Sequence, residues 1–426
     1  MAHLSLNHTI MKTNIFRSLL VFSAAIPLLF SQCTKDPDEN LPKEPVPIDL
    51  NSTQLALVES GNSFAFDIFR KVLEKAGESE NVMISPLSIS YALSMTLNGA
   101  NGATRDSMLK ALRVSGITPD EINSSLKDLT AALLTVDKRV LINIANSVWT
   151  ENDFAVKQAF INILIDYYNA ESKSFDINDQ TVPAKVNAWI EAKTNGLIKN
   201  MISALPDNTV MLLINAIYFK GKWKSEFDPD ETKQKSFYKP GGSSSDVPMM
   251  MQKADFKIYE GDGFMMGEFP YGQGNFVMDI ILPNAQNGIP ALLPTITDEA
   301  FTAWTEDLSK TEVNLSLPRF KYGYKRALKD ILTDMGMGIA FVDGADFTNI
   351  ASFPPLIIDE VLHQSFIETN EEGTEAAAAT VVIIGTTSYP PQTVNFNANH
   401  SFLYIIRETT TNSIIFMGRV CDPTAE

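Results

Sequence analysis

The chain has 426 residues, 45% of them hydrophobic and 20% charged, with a formal net charge of -17. That is ample apolar material for a large core. So acidic a balance excludes a broad electrostatic grip on nucleic acid and means that attachment to an anionic membrane needs a covalent anchor. Two cysteines, Cys33 and Cys421, are too few for a disulfide framework.

Met11 to Arg17 is basic and Ser18 to Phe30 is apolar but too short for a comfortable membrane span. Residues 1–32 therefore read as a secretory signal, with Met11 a candidate true start. Cys33 follows Leu28-Leu29-Phe30-Ser31-Gln32, which resembles a bacterial lipobox with Gln32 in place of the usual small residue. The resemblance implies a lipidated Cys33 that anchors the mature chain; the alternative is ordinary signal cleavage nearby. Residues 33–51 are acidic and proline-rich and read as an extended tether, leaving 52–426 as the main domain.

Ser63 to Lys75 sets Ala65, Ile68, Phe69, Val72 and Leu73 on one helical face. Ser85 is a natural N-cap before Pro86, and Ile89, Ala92, Leu93, Thr96 and Leu97 form a second stripe. Leu141 to Thr150 reads as a strand and Val156 to Tyr168 as a helix. Met211 to Phe219 is almost wholly apolar, as in a strand buried on both faces, so the amide of Asn215 inside it needs partners. Strands are expected at Val247–Met251, Met265–Pro270, Phe276–Pro283 and Glu312–Pro318, and a helix at Leu328–Met335. His400–Arg407 and Ser413–Val420 read as a hairpin.

The most unusual stretch is Asn370 to Pro391, NEEGTEAAAATVVIIGTTSYPP. With period two, Thr374, Ala376, Ala378, Thr380, Val382, Ile384 and Thr386 share one small or apolar face. Pro390-Pro391 cannot continue into a central strand. The stretch is either an edge strand followed by a loop or a strand that is not yet in its sheet.

This segment resembles the reactive-centre loop of a serpin. Glu371-Glu372-Gly373-Thr374-Glu375-Ala376 is similar to the family's proximal hinge, and 371–391 to the whole loop. Counting from the hinge glycine implies a reactive bond at Thr387–Ser388. Other blocks agree. NVMISPLSISYALSMTLNGANGATRDSMLKAL resembles the family's N-terminal block, with Ser85 and Ser88 as its shutter serines. Asn215 and His363 match further shutter residues, and Trp223 in Phe219-Lys220-Gly221-Lys222-Trp223 matches the breach tryptophan. FNANHSFLYIIRETTTNSIIFMGRVCDP resembles the C-terminal signature, although Asn397-Ala398-Asn399 stands where a proline is more usual.

The resemblance implies an α+β fold: a large central, mostly antiparallel sheet, smaller sheets, surrounding helices and an exposed loop. It implies a monomeric suicide-type inhibitor of serine proteases, with no cofactor, whose partner is the target protease in a covalent acyl complex. Gly385-Thr386-Thr387 lacks the Arg or Lys that trypsin-like enzymes want, so elastase-like or subtilisin-like targets are expected, with papain-like enzymes a further option. The competing reading is a non-inhibitory serpin acting as a binding or carrier protein. The signal and Cys33 imply a secreted lipoprotein of the cell envelope. An intrinsic enzyme is not expected. His3 and His8 leave with the signal, so only His363 and His400 remain, and there is no HExxH, CxxC or GxSxG pattern.

Overall fold

The computed structural model describes residues 42–353, 355–374 and 393–425. Its principal helices are α1 (Ser52–Lys75), α2 (Pro86–Leu97), α3 (Gly102–Ala111), α4 (Pro119–Leu133), α5 (Gln158–Tyr168) and α6 (Val182–Lys193). The strands are β1 (Val82–Ile84), β2 (Val140–Glu151), β3 (Glu171–Phe175), β4 (Met211–Lys222), β5 (Lys233–Tyr238), β6 (Ser244–Gly261) and β7 (Phe264–Tyr271). They continue with β8 (Phe276–Pro283), β9 (Ser309–Pro318), β10 (Phe320–Ala327), β11 (Leu362–Thr369), β12 (Gly373–Thr374), β13 (Val394–Asn397), β14 (Phe402–Glu408) and β15 (Ile414–Val420).

Three sheets result, mostly antiparallel, as expected. The largest runs β1-β15-β14-β8-β7-β6-β9-β13, with β5 on β6. Its strands β8, β14 and β15 are buried along their whole length, which is why the sequence there is nearly continuous in apolar residues. The second runs β12-β4-β2-β3 and the third is the pair β10-β11. Two pairings are parallel, β2 with β3 and β9 with β13. The main core fills the space between the sheets and helices α1 to α5. A smaller one, around Trp149, Val186, Trp189 and Ile214, seats α6 on the outer face of β2 and β4.

Several boundaries differ from the sequence expectations for local reasons. Helix α1 starts at Ser52 rather than Ser63, because Asn51 and Gln54 form a reciprocal capping box and Leu57 and Val58 extend the apolar face. The end of the expected tether is held down: Asn275 accepts from the Val46 N–H at 2.8 Å and donates to the Val46 carbonyl at 2.8 Å. Helix α4 announces itself in Thr118-Pro119-Asp120-Glu121, a capping box with proline in the first turn. The helix expected at Leu328–Met335 is regular only over Lys329–Leu332 and then turns irregular at Gly336, φ 97°. Among the described residues no helix is long and apolar enough to cross a membrane.

One relationship governs the rest. Strand β4 pairs with β2 along its length, but on its other side, among the described residues, it meets only the two residues of β12. Among the described residues strand β11 pairs with β10 alone. Between the facing edges of β4 and β11 lies a slot, and a cavity of about 460 Å³ opens into its lower half, between Met211–Asn215 on one side and Leu362–Gln364 on the other.

Candidate functional site: a slot between two strands

The top of the slot is built on Trp223. Its ring stacks on Tyr271, centroids 4.4 Å apart and planes 9° apart, and meets Phe227 edge-on. The indole N–H donates to the Asn370 carbonyl at 2.9 Å, and the Trp223 backbone N–H donates to the Glu372 carbonyl at 2.9 Å. Trp223 thus holds both ends of the turn that delivers residue 373 to the sheet.

Glu371 is buried in this turn. Its carboxylate accepts from Arg319 Nε at 2.7 Å and from the Thr232 hydroxyl. Burial pushes the Glu371 carboxyl up, but the Arg319 guanidinium and the Thr232 hydroxyl outweigh it and hold the pKa below the usual carboxylate value.

Gly373 and Thr374 form β12, paired antiparallel with Lys222 and Gly221 of β4. Gly373 has φ +133°, and a Cβ there would collide with the Gly221 carbonyl and lie 2.6 Å from the Lys222 Cα. Only glycine fits both the conformation and the close approach. Residues 373 and 374 are therefore already paired with β4.

Lower down, the sequence-expected shutter residues come together beneath the slot. Ser85 caps α2, accepting from the Ser88 N–H at 3.2 Å, while its own hydroxyl donates to the Ile415 carbonyl at 2.7 Å. The Ser85 N–H donates to His363 Nε2 at 3.0 Å, which ties α2 to β11. The Ser88 hydroxyl donates to Asn215 Oδ1, which ties α2 to β4. Asn215 Nδ2 in turn donates to Asn146 Oδ1 on β2 at 2.7 Å, so the buried amide has its partners. Burial alone depresses His363 to about 4, and it is neutral at pH 7, with the proton on Nδ1 because Nε2 accepts.

These serines carry no nucleophile geometry. The Ser85 hydroxyl faces a carbonyl, and His363 takes a backbone N–H rather than a serine proton. His400 is likewise committed, to the Pro283 carbonyl at 2.7 Å and Asn399 Oδ1 at 2.9 Å.

Glu375, Ala376, Thr387, Ser388 and Cys33 lie outside the described residues. Sequence reasoning missed Tyr271, Thr232 and the partnership of Glu371 with Arg319. Arg319 follows strand β9 in a recognisable block, but nothing local in the chain says that its partner stands at residue 371.

A family model described as Serpin (serine protease inhibitor) matches residues 59–423. A serpin-like protein of Thermococcus kodakarensis is 32% identical over 86% of this chain and 86% of its own. Neuroserpin of Mus musculus is 34% identical over 82% of this chain and 88% of its own. Among solved structures, the thermophilic serpin tengpin in its native state is similar at TM-score 0.79, with 29% identity over 90% of this chain and 97% of that one. Human thyroxine-binding globulin is similar at TM-score 0.80, with 26% identity over 88% of this chain and all of that one.

Proposed function

Since the chain belongs to the serpin family, whose members are generally protease inhibitors rather than enzymes, we propose that it is a suicide-type inhibitor of elastase-like or subtilisin-like serine proteases, with papain-like cysteine proteases as further targets. The observation that supports this most directly is the two-residue strand β12, already in register at the mouth of an open slot.

Continuing that register down β4 would bring Ala376 opposite Phe219, Ala378 opposite Ile217, Thr380 opposite Asn215, Val382 opposite Leu213 and Ile384 opposite Met211. Directly paired residues share a face. Ile217 and Phe219 belong to the main core and Met211 and Leu213 pack against it, so the small and apolar alternate residues of the loop would face inward. Glu375 and the remaining alternates would face outward. Thr380 would arrive over the Asn215 amide, and Val382 and Ile384 would fill the cavity.

The chemistry is the target's. Its nucleophile attacks the Thr387 carbonyl, the bond to Ser388 breaks, and the acyl-enzyme stays attached to Thr387. Insertion of 374–387 drags the enzyme away from its catalytic geometry, and a displacement of about 1 Å costs on the order of 100-fold in rate. Burying Val382 and Ile384 contributes about 1.5–3 kcal/mol each, besides the backbone pairing on both edges. The uncleaved form is thus held by kinetics. We further assign the protein, on its signal pattern and Cys33, to the cell envelope as a secreted, lipid-anchored monomer.

A carrier role is the second reading, favoured by the likeness to thyroxine-binding globulin. Incubation with a panel of serine proteases separates the two. Inhibition gives SDS-stable complexes with cleavage between Thr386 and Ser388 by mass spectrometry, whereas a carrier gives none.

A further inference from the structure

The N-terminal segment lands beside the hinge. Asn275, fully buried, holds the Val46 backbone by both its N–H and its carbonyl, each at 2.8 Å. The Ile48 N–H donates to the Thr410 hydroxyl at 3.1 Å, and Ile48 and Leu50 pack against the main core. Asn51 then caps α1. From Val46 onward the chain is part of the body. Just before it, Pro45 and Lys224 meet over Gly274, where an added Cβ would lie 3.4 Å from each, and Glu44 stands 3.9 Å from Lys224 Nζ.

This landing site and the start of the reactive segment are neighbours. Lys224 donates from Nζ to the Gln273 carbonyl at 2.9 Å and from its backbone N–H to the Pro270 carbonyl at 2.8 Å. Its predecessor Trp223 donates to the Glu372 carbonyl and stacks on Tyr271. Glu44 and Glu372 are thus joined through two consecutive residues at the Lys222 end of β4. The Met211 end of β4 is about 40 Å away, for twelve residues at about 3.3 Å each.

The sequence limits the reach of an anchor on Cys33. Glu44 is the eleventh residue after it. Fully extended, that length spans at most about 40 Å, no more than β4 itself. A lipid on Cys33 therefore cannot lie beyond the Met211 end while Glu44 stays at the Lys222 end, unless all of the chain between is drawn straight along the body.

We propose that the anchored protein presents its reactive segment to its own membrane and meets the target in the gap between body and bilayer, a gap that admits a single-domain protease and excludes larger assemblies. The inference rests on the lipid-anchor and inhibitor readings above. The gap is comparable with the diameter of such an enzyme, about 40–50 Å. Insertion would then run from Thr374, opposite Gly221, towards Met211. A trapped enzyme would end about 40 Å farther from the bilayer. The length of chain between Cys33 and Glu44 thus decides which enzymes are met, without touching the scissile bond.

The test places the lipidated full-length chain on phosphatidylcholine vesicles that carry an energy-acceptor lipid. A donor dye is attached through Lys233→Cys, an exposed position beside Thr232 at the hinge end, or through Asp207→Cys, exposed just before β4 at the other end. Cys421 is buried and stays unlabelled. Transfer should be severalfold stronger from position 233 than from position 207. Equal transfer from both, or stronger transfer from 207, overturns the proposal. If wild type binds vesicles no better than Cys33→Ser, the lipid-anchor reading falls and the proposal with it. Trapping is measured separately with subtilisin. Deleting residues 34–41 should abolish most trapping on vesicles, because the remaining reach forbids entry of the enzyme, and should leave the rate unchanged when combined with Cys33→Ser in solution. A deletion that leaves trapping on vesicles intact, or lowers it equally in solution, overturns the gap. If Cys33→Ser itself forms no SDS-stable complex in solution, the inhibitor reading falls, and the dye order still decides the orientation.

Discussion

His363 and Asn215 stand on opposite lips of the slot and are joined beneath it through Ser85 and Ser88. One residue belongs to β11 and the other to β4, and the two serines sit at the start of the same helix. The sheet is therefore latched from below at the place where an inserted Thr380 would arrive.

This latch should loosen in acid. Burial holds the His363 pKa at about 4, against an ordinary value near 6.5. The unfolded chain binds the proton more tightly, so the contribution of His363 is fully present above about pH 6.5 and is lost as pH falls towards 4. Between pH 7.5 and pH 5 the loss is about 2 kcal/mol. Urea denaturation of wild type and His363→Gln at the two pH values measures it. Wild type should weaken by that amount more than the variant; parallel losses would show that His363 is not held neutral.

The turn that carries Glu371 has its own pH dependence, in a lower window. Arg319 and Thr232 hold the Glu371 carboxyl below its usual pKa despite burial. The stabilisation is present above the unfolded value near 4.3 and is lost as pH falls through the folded one. Glu371→Gln keeps the shape and removes the charge. It should cost about 1–2 kcal/mol at pH 7, because Arg319 is partly exposed and regains water. The cost should begin to shrink as pH falls below the unfolded value near 4.3 and vanish once the folded carboxyl is protonated. Calorimetry across that range checks both statements.

Far from the slot, the nine-stranded sheet contains a buried ionic group. Arg407 donates to Asp279 Oδ2 from Nε and to Glu268 Oε2 from Nη2, each at 2.7 Å, and all three residues are buried. Burial raises the Asp279 carboxyl to about 6, against the pull of Arg407. Arg407→Met leaves the buried Asp279 carboxylate without its bonded cation and Glu268 with only the exposed Lys257, 2.8 Å away, and should cost about 3–5 kcal/mol. Adding Asp279→Leu should restore part of that loss. A fully additive double variant, measured by urea denaturation, would show that the two side chains are not coupled.

What the chain revealed of the site, and what it withheld, follows from range. Glu371-Glu372-Gly373 could be read as a turn because its signal is local, whereas the Gly221 carbonyl that leaves no space for a Cβ at Gly373 comes from a distant strand. Ser85 could be read because capping is local, and Asn215 because an amide in an apolar strand demands partners. The stack of Trp223 on Tyr271, the Arg319–Glu371 pair and the fastening of Lys199 and Asn200 by Gln364 and Lys325 join distant parts of the chain. No period or spacing encodes them. The tether misled at its end for the same reason, since the Asn275 that pins Val46 lies far along the sequence.

The strongest demand falls on residue 374. It pairs with Gly221, which shares a face of β4 with the core residues Phe219 and Ile217. A buried, unpaired cation there would add a desolvation cost of several kcal/mol. Thr374→Arg should therefore stall insertion after cleavage. The acyl-enzyme would hydrolyse, and the protease would leave active with the loop cut. Two measurements decide it. On denaturing gels, wild type should give a covalent complex with subtilisin and Thr374→Arg only cleaved chain. In thermal melts, nicking the loop should raise the midpoint of wild type and leave that of the variant nearly unchanged. A variant that still traps the protease at wild-type yield would show that insertion does not begin at this residue.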